Sequence, residues 1–98
     1  MPTADELIIK MLPLLKKYPV RKAALFGSYA RSEQCEDSDV DILLEFSEPI
    51  GLGYGSLYLD LKEALPVAVG FLTVAGLEEK PSHFRESVSR DMVVFYEK

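Results

Sequence analysis

The sequence is short of the residues that build disulfide frameworks and soft-metal sites. Cys35 is its only cysteine, His83 its only histidine, and tryptophan is absent. A single cysteine excludes an internal disulfide and fits a reducing compartment, so a cytoplasmic location is expected. No apolar run approaches the roughly 18 residues of a membrane span. The opening MPTADEL has no basic segment followed by an apolar one, so no secretory signal is expected. Basic residues are also few, with 11 Lys and Arg against 16 Asp and Glu, a net charge of -5. Generic nucleic-acid binding neutralises phosphates with Lys and Arg, so direct nucleic-acid binding is not expected. An acidic protein with an acidic site needs cations, either metal ions or a basic partner surface.

What is present is the balance of an ordinary globular protein: 98 residues, 48% hydrophobic and 28% charged. That length predicts one domain, residues 1–98, with one core. Thr3 to Glu6 reads as a capping box, and Leu7, Ile8, Met11, Leu12 and Leu15 follow at helical spacing. Pro13 is expected to kink that helix or restart it, and Pro19 to stop it. Val20 to Phe26 reads as a first strand and Val40 to Phe46 as a second. Between them, Gly27 to Arg31 reads as a turn opening a short helix, and Ser32 to Ser38 as a polar loop. Residues 47–55, rich in Gly and Pro, read as a loop. Leu57, Leu61 and Leu65 give a helical face. Val67 to Thr73 is nearly all apolar and is expected to be a third strand buried on both faces. Residues 76–90 lean helical, broken by Pro81, and Met92 to Tyr96 reads as a fourth strand. This order predicts an α/β (α+β) layer, a single small mixed β-sheet with helices packed against it. The short link between the first two strands permits either antiparallel neighbours or a tight crossover.

The informative stretch is LFGSYARSEQCEDSDVDILLEF, Leu25 to Phe46. Side chains alternate along a strand, so Asp39 and Asp41 share a face with Cα atoms roughly 6.6 Å apart. Val40, Ile42, Leu44 and Phe46 then point the other way, into the core. Two hard carboxylates at that spacing can converge on divalent cations, and oxygen ligands suit Mg²⁺. The Gly27-Ser28 turn supplies a complementary half. Backbone N–H groups and a helix dipole at its opening make an anion site, and glycine allows close approach. The Ser28 hydroxyl can bind a phosphate oxygen, or act only as a helix N-cap. Metal ligands beside a phosphate cradle suggest phosphoryl or nucleotidyl transfer.

Gly27-Ser28, ten residues, then Asp39-Val40-Asp41 resembles the signature of the DNA polymerase beta-like nucleotidyltransferase superfamily. LFGSYAR, SDVDILLEF and the short length resemble, more narrowly, the minimal nucleotidyltransferase (MNT) family. VAVGFLTVAGLEE and HFRESVSRDMVVFYE sit where that family has its third strand, last helix and terminal strand, so the likeness covers nearly the whole chain. The resemblance implies a nucleotidyltransferase fold and a HEPN-type toxin as partner. It implies that Gly27 and Ser28 hold the phosphates of ATP, with Arg31 a candidate phosphate contact or a surface residue, and that Asp39 and Asp41 hold Mg²⁺. The implied activity is transfer of AMP to a hydroxyl of the toxin, a tyrosine's in first place, by an antitoxin. The alternative is an antitoxin of weak or no activity that neutralises its partner by binding alone.

One departure bears on that choice. The family usually carries a third carboxylate on the third strand, where this sequence reads Val69-Gly70-Phe71-Leu72-Thr73. A side chain at 70 is expected to face the site with Asp39 and Asp41, so an acid there is expected to add a ligand and a general base. Glu45 lies about 13 Å along the strand from Asp41, too far to replace it. Asp60 and Glu63 on the following helix are the remaining candidates. Elsewhere, GLGYGS at residues 51–56 has the wrong spacing for a dinucleotide fingerprint and reads as a flexible loop near the site. Tyr54 and Tyr58 read as core or interface aromatics, and His83 as a surface residue. Cys35 lies in an acidic loop that disfavours a thiolate.

Overall fold

The computed structural model describes residues 3–35 and 39–98. Thr3 caps the first helix, α1 (Ala4–Leu15), its hydroxyl accepting from the Glu6 N–H at 3.2 Å. Leu7, Met11 and Leu15 recur on one side of α1 and are buried. Pro13 lies within the helix, which continues through it. The carbonyl that loses its donor is that of Ile9, which is exposed, so water can satisfy it.

Four strands follow: β1 (Val20–Phe26), β2 (Val40–Phe46), β3 (Val69–Thr73) and β4 (Val93–Glu97). They form one sheet in the order β3-β2-β1-β4. β1 is antiparallel to both β2 and β4, and β2 is parallel to β3, so the sheet is mixed and the first two strands are antiparallel neighbours. Helix α2 (Gly53–Ala64) makes the β2-to-β3 crossover, while α3 (Val74–Glu78) and α4 (Ser82–Asp91) lie between β3 and β4. Part of the loop expected at Ser32 to Ser38 falls at 36–38, outside the described residues.

The alternation of β2 sorts the helices between the two faces. Val40, Ile42 and Leu44 point one way and are fully buried with Leu7, Met11 and Leu15 of α1 and Leu57 and Leu61 of α2. Leu43 points the other way and joins Ala24 and Val88 of α4, with Val74 and Leu77 of α3 packed around them. Each buried Leu or Ile contributes about 1.5–3 kcal/mol.

Two expectations change. β3 is an edge strand, and all five of its residues are half-buried rather than buried on both faces. An apolar run alone does not distinguish a central strand from an edge whose outer neighbour is solvent. The glycine-rich stretch is also not all loop, because α2 begins at Gly53. Tyr54 packs edge-on against Phe46 and Phe71, and Tyr58 against Phe71. Those contacts hold the first turns of α2 on the core face, opposite the face that carries Asp41. Among the described residues, no helix is long and apolar enough to cross a membrane.

Candidate active site

The antiparallel β1–β2 pairing places Phe26 opposite Asp41, so Gly27-Ser28 begins where the carboxylates lie. The parallel β2–β3 pairing places Gly70 on the other side of Asp41. Asp41 is therefore flanked by the end of β1 and the middle of β3, with its side chain on the Leu43 face. Asp41 is half-buried, while Asp39, one residue before β2, is exposed.

Residues Gly27 to Ser32 form a single hydrogen-bonded turn rather than the short helix expected from the sequence. Arg31 N–H donates to the Gly27 carbonyl, Ser32 N–H to that of Tyr29, and Glu33 N–H to that of Ser28. The last two bonds are those of a Schellman stop, with Ser32 at φ 58° in the left-handed position usually held by glycine. The chain closes after one turn, too short to develop a helix macrodipole at its start. The N–H groups of Ser28, Tyr29 and Ala30 precede the bonds that close the turn. Tyr29 anchors the turn, buried among the core residues at 2% exposure.

Gly27 is required twice over. Its φ of +74° lies in the left-handed region. A Cβ there would also stand 2.6 Å from Asp41 Oδ2. Gly70 meets the same carboxylate from the other strand, where a Cβ would stand 2.7 Å from Oδ1. Position 70 faces the site as expected, but an acid there would not be a simple third ligand, because its Cβ collides with the second one. The remaining candidates do not substitute. Asp60 accepts a hydrogen bond from the Tyr18 hydroxyl at 2.6 Å, Glu63 is exposed, and both lie on α2, across the sheet from Asp41. Among the described residues, no group of three or more His, Cys, Asp or Glu is placed to hold a metal ion.

Electrostatics favour a cation here. Burial, and then the charge of Asp39, push the Asp41 carboxyl above the ordinary carboxylate range, and Arg31 pulls it part of the way back. A half-buried carboxylate opposed by a second is a hard-oxygen donor pair short of positive charge, which suits a divalent ion such as Mg²⁺. Arg31 itself is committed elsewhere, donating to Glu33 at 2.6 Å and to Asp91 of α4 at 3.1 Å. Those carboxylates hold its guanidinium above its ordinary pKa, Glu33 more than Asp91. Arg31 therefore ties the turn to the last helix, a role invisible in sequence because its partner is 60 residues away. His83 and Cys35 are both exposed.

A cavity of about 240 Å³ lies further along the same face, lined by Ala24, Leu43, Val74, Leu77 and Met92 with Lys22, Glu45 and Ser89. It does not reach Asp39 or Asp41, and its apolar lining carries no arrangement for phosphate or metal.

Comparison with known proteins identifies the family and the fold. Residues 8–95 match the family described as Nucleotidyltransferase domain. MJ1379 of Methanocaldococcus jannaschii, a candidate protein adenylyltransferase, is 41% identical over 92 residues, covering 90% of this chain and 90% of its own. A solved candidate minimal nucleotidyltransferase superposes with a TM-score of 0.71 at 30% identity, over 91% of this chain and 89% of that one. A chain from the complex of tri-AMPylated Shewanella oneidensis HEPN toxin with MNT antitoxin shares the fold, with a TM-score of 0.66 at 18% identity, over 96% of this chain and 72% of that one. The chain belongs to the nucleotidyltransferase domain family and, within it, to the minimal nucleotidyltransferases.

Proposed function

We propose that the protein is the antitoxin of a toxin–antitoxin pair and transfers AMP from ATP to a hydroxyl, that of a tyrosine, on a HEPN-type toxin. The observation that carries this reading is the juxtaposition of turn and carboxylate, with Gly27 so close to Asp41 that a Cβ would stand 2.6 Å from Oδ2. A backbone able to approach phosphates and a carboxylate able to hold their counter-ion share one small space. Support comes from family membership, from the acidic charge of the chain, and from the fold neighbour solved with an AMPylated HEPN toxin.

In this reading Gly27 and Ser28 hold the phosphates through backbone N–H groups and the Ser28 hydroxyl. Arg31 adds a phosphate contact by exchanging one of its carboxylates. Asp39 and Asp41 hold Mg²⁺, which when bound neutralises phosphate charge and lines up the reacting oxygens. The acceptor hydroxyl oxygen forms a bond to the α-phosphorus and the bond to the β-phosphate bridging oxygen breaks. Pyrophosphate leaves, and the hydroxyl proton passes to a carboxylate or to water.

A second reading, neutralisation by binding alone, is favoured by Gly70, which leaves the site with two carboxylates. The two are separated with α-labelled ATP, a purified HEPN-type partner, and wild type beside Asp41→Asn. Label on the toxin that disappears in Asp41→Asn supports transfer. Neutralisation without label supports binding alone, and equal labelling by both proteins would place the chemistry elsewhere.

A further inference from the structure

We propose that Gly70 is a positioning residue: with Gly27 it forms a slot, open only because both residues lack a side chain, that fixes the Asp41 carboxylate for the cation. The inference rests on the reading of Asp39 and Asp41 as cation ligands.

Four of the six glycines have nothing to do with the carboxylates. Gly51 and Gly55 face open space, Gly53 meets Ile50, and Gly76 meets Thr73 and Leu72. The other two confront one carboxylate from opposite sides and on different atoms, Gly27 on Oδ2 and Gly70 on Oδ1. Gly27 has a backbone reason to be glycine, its φ of +74°. Gly70 has none, for it is not among the residues of positive φ and sits inside β3. Glycine in a strand interior weakens the strand and leaves nothing to pack, so its presence needs another cause. The contact with Asp41 supplies it. Carbon–oxygen approaches of 2.6–2.7 Å are well inside van der Waals contact, so a Cβ at 70 expels Oδ1 from its place. The Asp41 carboxylate then has to shift from the place it holds between Gly27 and Gly70.

A side chain that sets the orientation of a metal ligand typically changes metal affinity 10–100-fold when altered. Gly70→Ala adds only the Cβ, in a conformation alanine adopts freely. The experiment is a titration of the metal-free protein with Mn²⁺, followed by electron paramagnetic resonance of the free ion, alongside thermal unfolding in metal-free buffer. Gly55→Ala is the control for adding a methyl where nothing is met, and Asp41→Asn tests the ligand itself. The expected result is a loss of Mn²⁺ affinity of about 10–100-fold in Gly70→Ala, with an unfolding midpoint equal to or above that of wild type, and no change in affinity for Gly55→Ala. Unchanged affinity in Gly70→Ala, or a loss matched by a fall in the unfolding midpoint, overturns the slot, since a purely structural glycine would move both. If Asp41→Asn binds Mn²⁺ as tightly as wild type, the reading of the site itself fails. If Asp41→Asn loses the ion while Gly70→Ala keeps it, only the slot does.

Discussion

Leu43 and Leu44 are neighbours in β2 and face two different interiors. Beneath Leu44, the α1 and α2 side is closed, with Leu7, Met11, Leu15, Ile42, Leu57 and Leu61 all at 0% exposure. Beneath Leu43, the α3 and α4 side is thin. Its buried set is Ala24, Leu43 and Val88, α3 buries nothing fully, and a cavity of about 240 Å³ remains. The carboxylates stand at the end of this second side. The contrast indicates a division of labour, in which one face supplies the cohesive energy and the other keeps open space where charge can be placed.

Paired truncations test that division most strongly. Leu44→Ala empties a closed core and is expected to cost near the upper end of the roughly 2–5 kcal/mol seen for buried leucines, whereas Leu43→Ala, beside an existing cavity, is expected near or below the lower end. Urea unfolding of both variants gives the answer, and equal losses would show that the two sides are packed alike.

Tyr18→Phe probes the rim of the closed face. The variant removes the 2.6 Å bond to Asp60 and is expected to cost about 0.5–1.5 kcal/mol. Mn²⁺ affinity should not move, because α2 lies across the sheet from Asp41. A change in that affinity would mean that the two faces are coupled.

The same comparison shows what was legible in the sequence. The closed face was readable residue by residue, because Leu7, Met11 and Leu15 repeat at helical spacing and Val40, Ile42 and Leu44 alternate. The Asp39–Asp41 pair and the Gly27-Ser28 turn were readable too, since local spacing fixes them. The edge position of β3 was not, because an apolar run carries no record of its neighbours. The single turn after Gly27 leaves no signal in the sequence either, because its stop is made by a serine in a conformation where glycine is the usual signal. The Arg31–Asp91 tie and the Gly70 contact depend on pairings across the chain. Position 70 could be placed on the site face by alternation, but only the register shows that the space beside it belongs to Asp41.

On the open face, Arg31→Ala removes exposed ion pairs with Glu33 and Asp91 and is expected to change stability by at most about 1 kcal/mol, less at high salt. A larger loss in chemical unfolding would show that Arg31 secures α4 more firmly than the geometry implies.

The smallest effect should be that of Asp41→Asn in metal-free buffer, and its sign is informative. A carboxyl raised in the folded state binds its proton more tightly there than in the unfolded chain. Its contribution is fully present below the ordinary aspartate value of about 3.9 and is lost as pH rises through the raised one. Wild type should therefore match the Asn variant in acid and fall below it at neutral pH. Thermal unfolding followed by circular dichroism between about pH 4 and pH 7 checks this; wild type gaining on the variant as pH rises would contradict it.

Calorimetry of nucleotide binding decides whether Asp39 and Asp41 hold the nucleotide through a cation. Wild type and the Asp39→Asn, Asp41→Asn double variant are titrated with a non-hydrolysable ATP analogue, with and without Mg²⁺. Wild type is expected to show Mg²⁺-dependent binding that the double variant loses by at least about tenfold, the scale of one lost charge-assisted contact of roughly 1.5–3 kcal/mol. Equally tight, Mg²⁺-dependent binding by both proteins would contradict it and put the nucleotide site elsewhere.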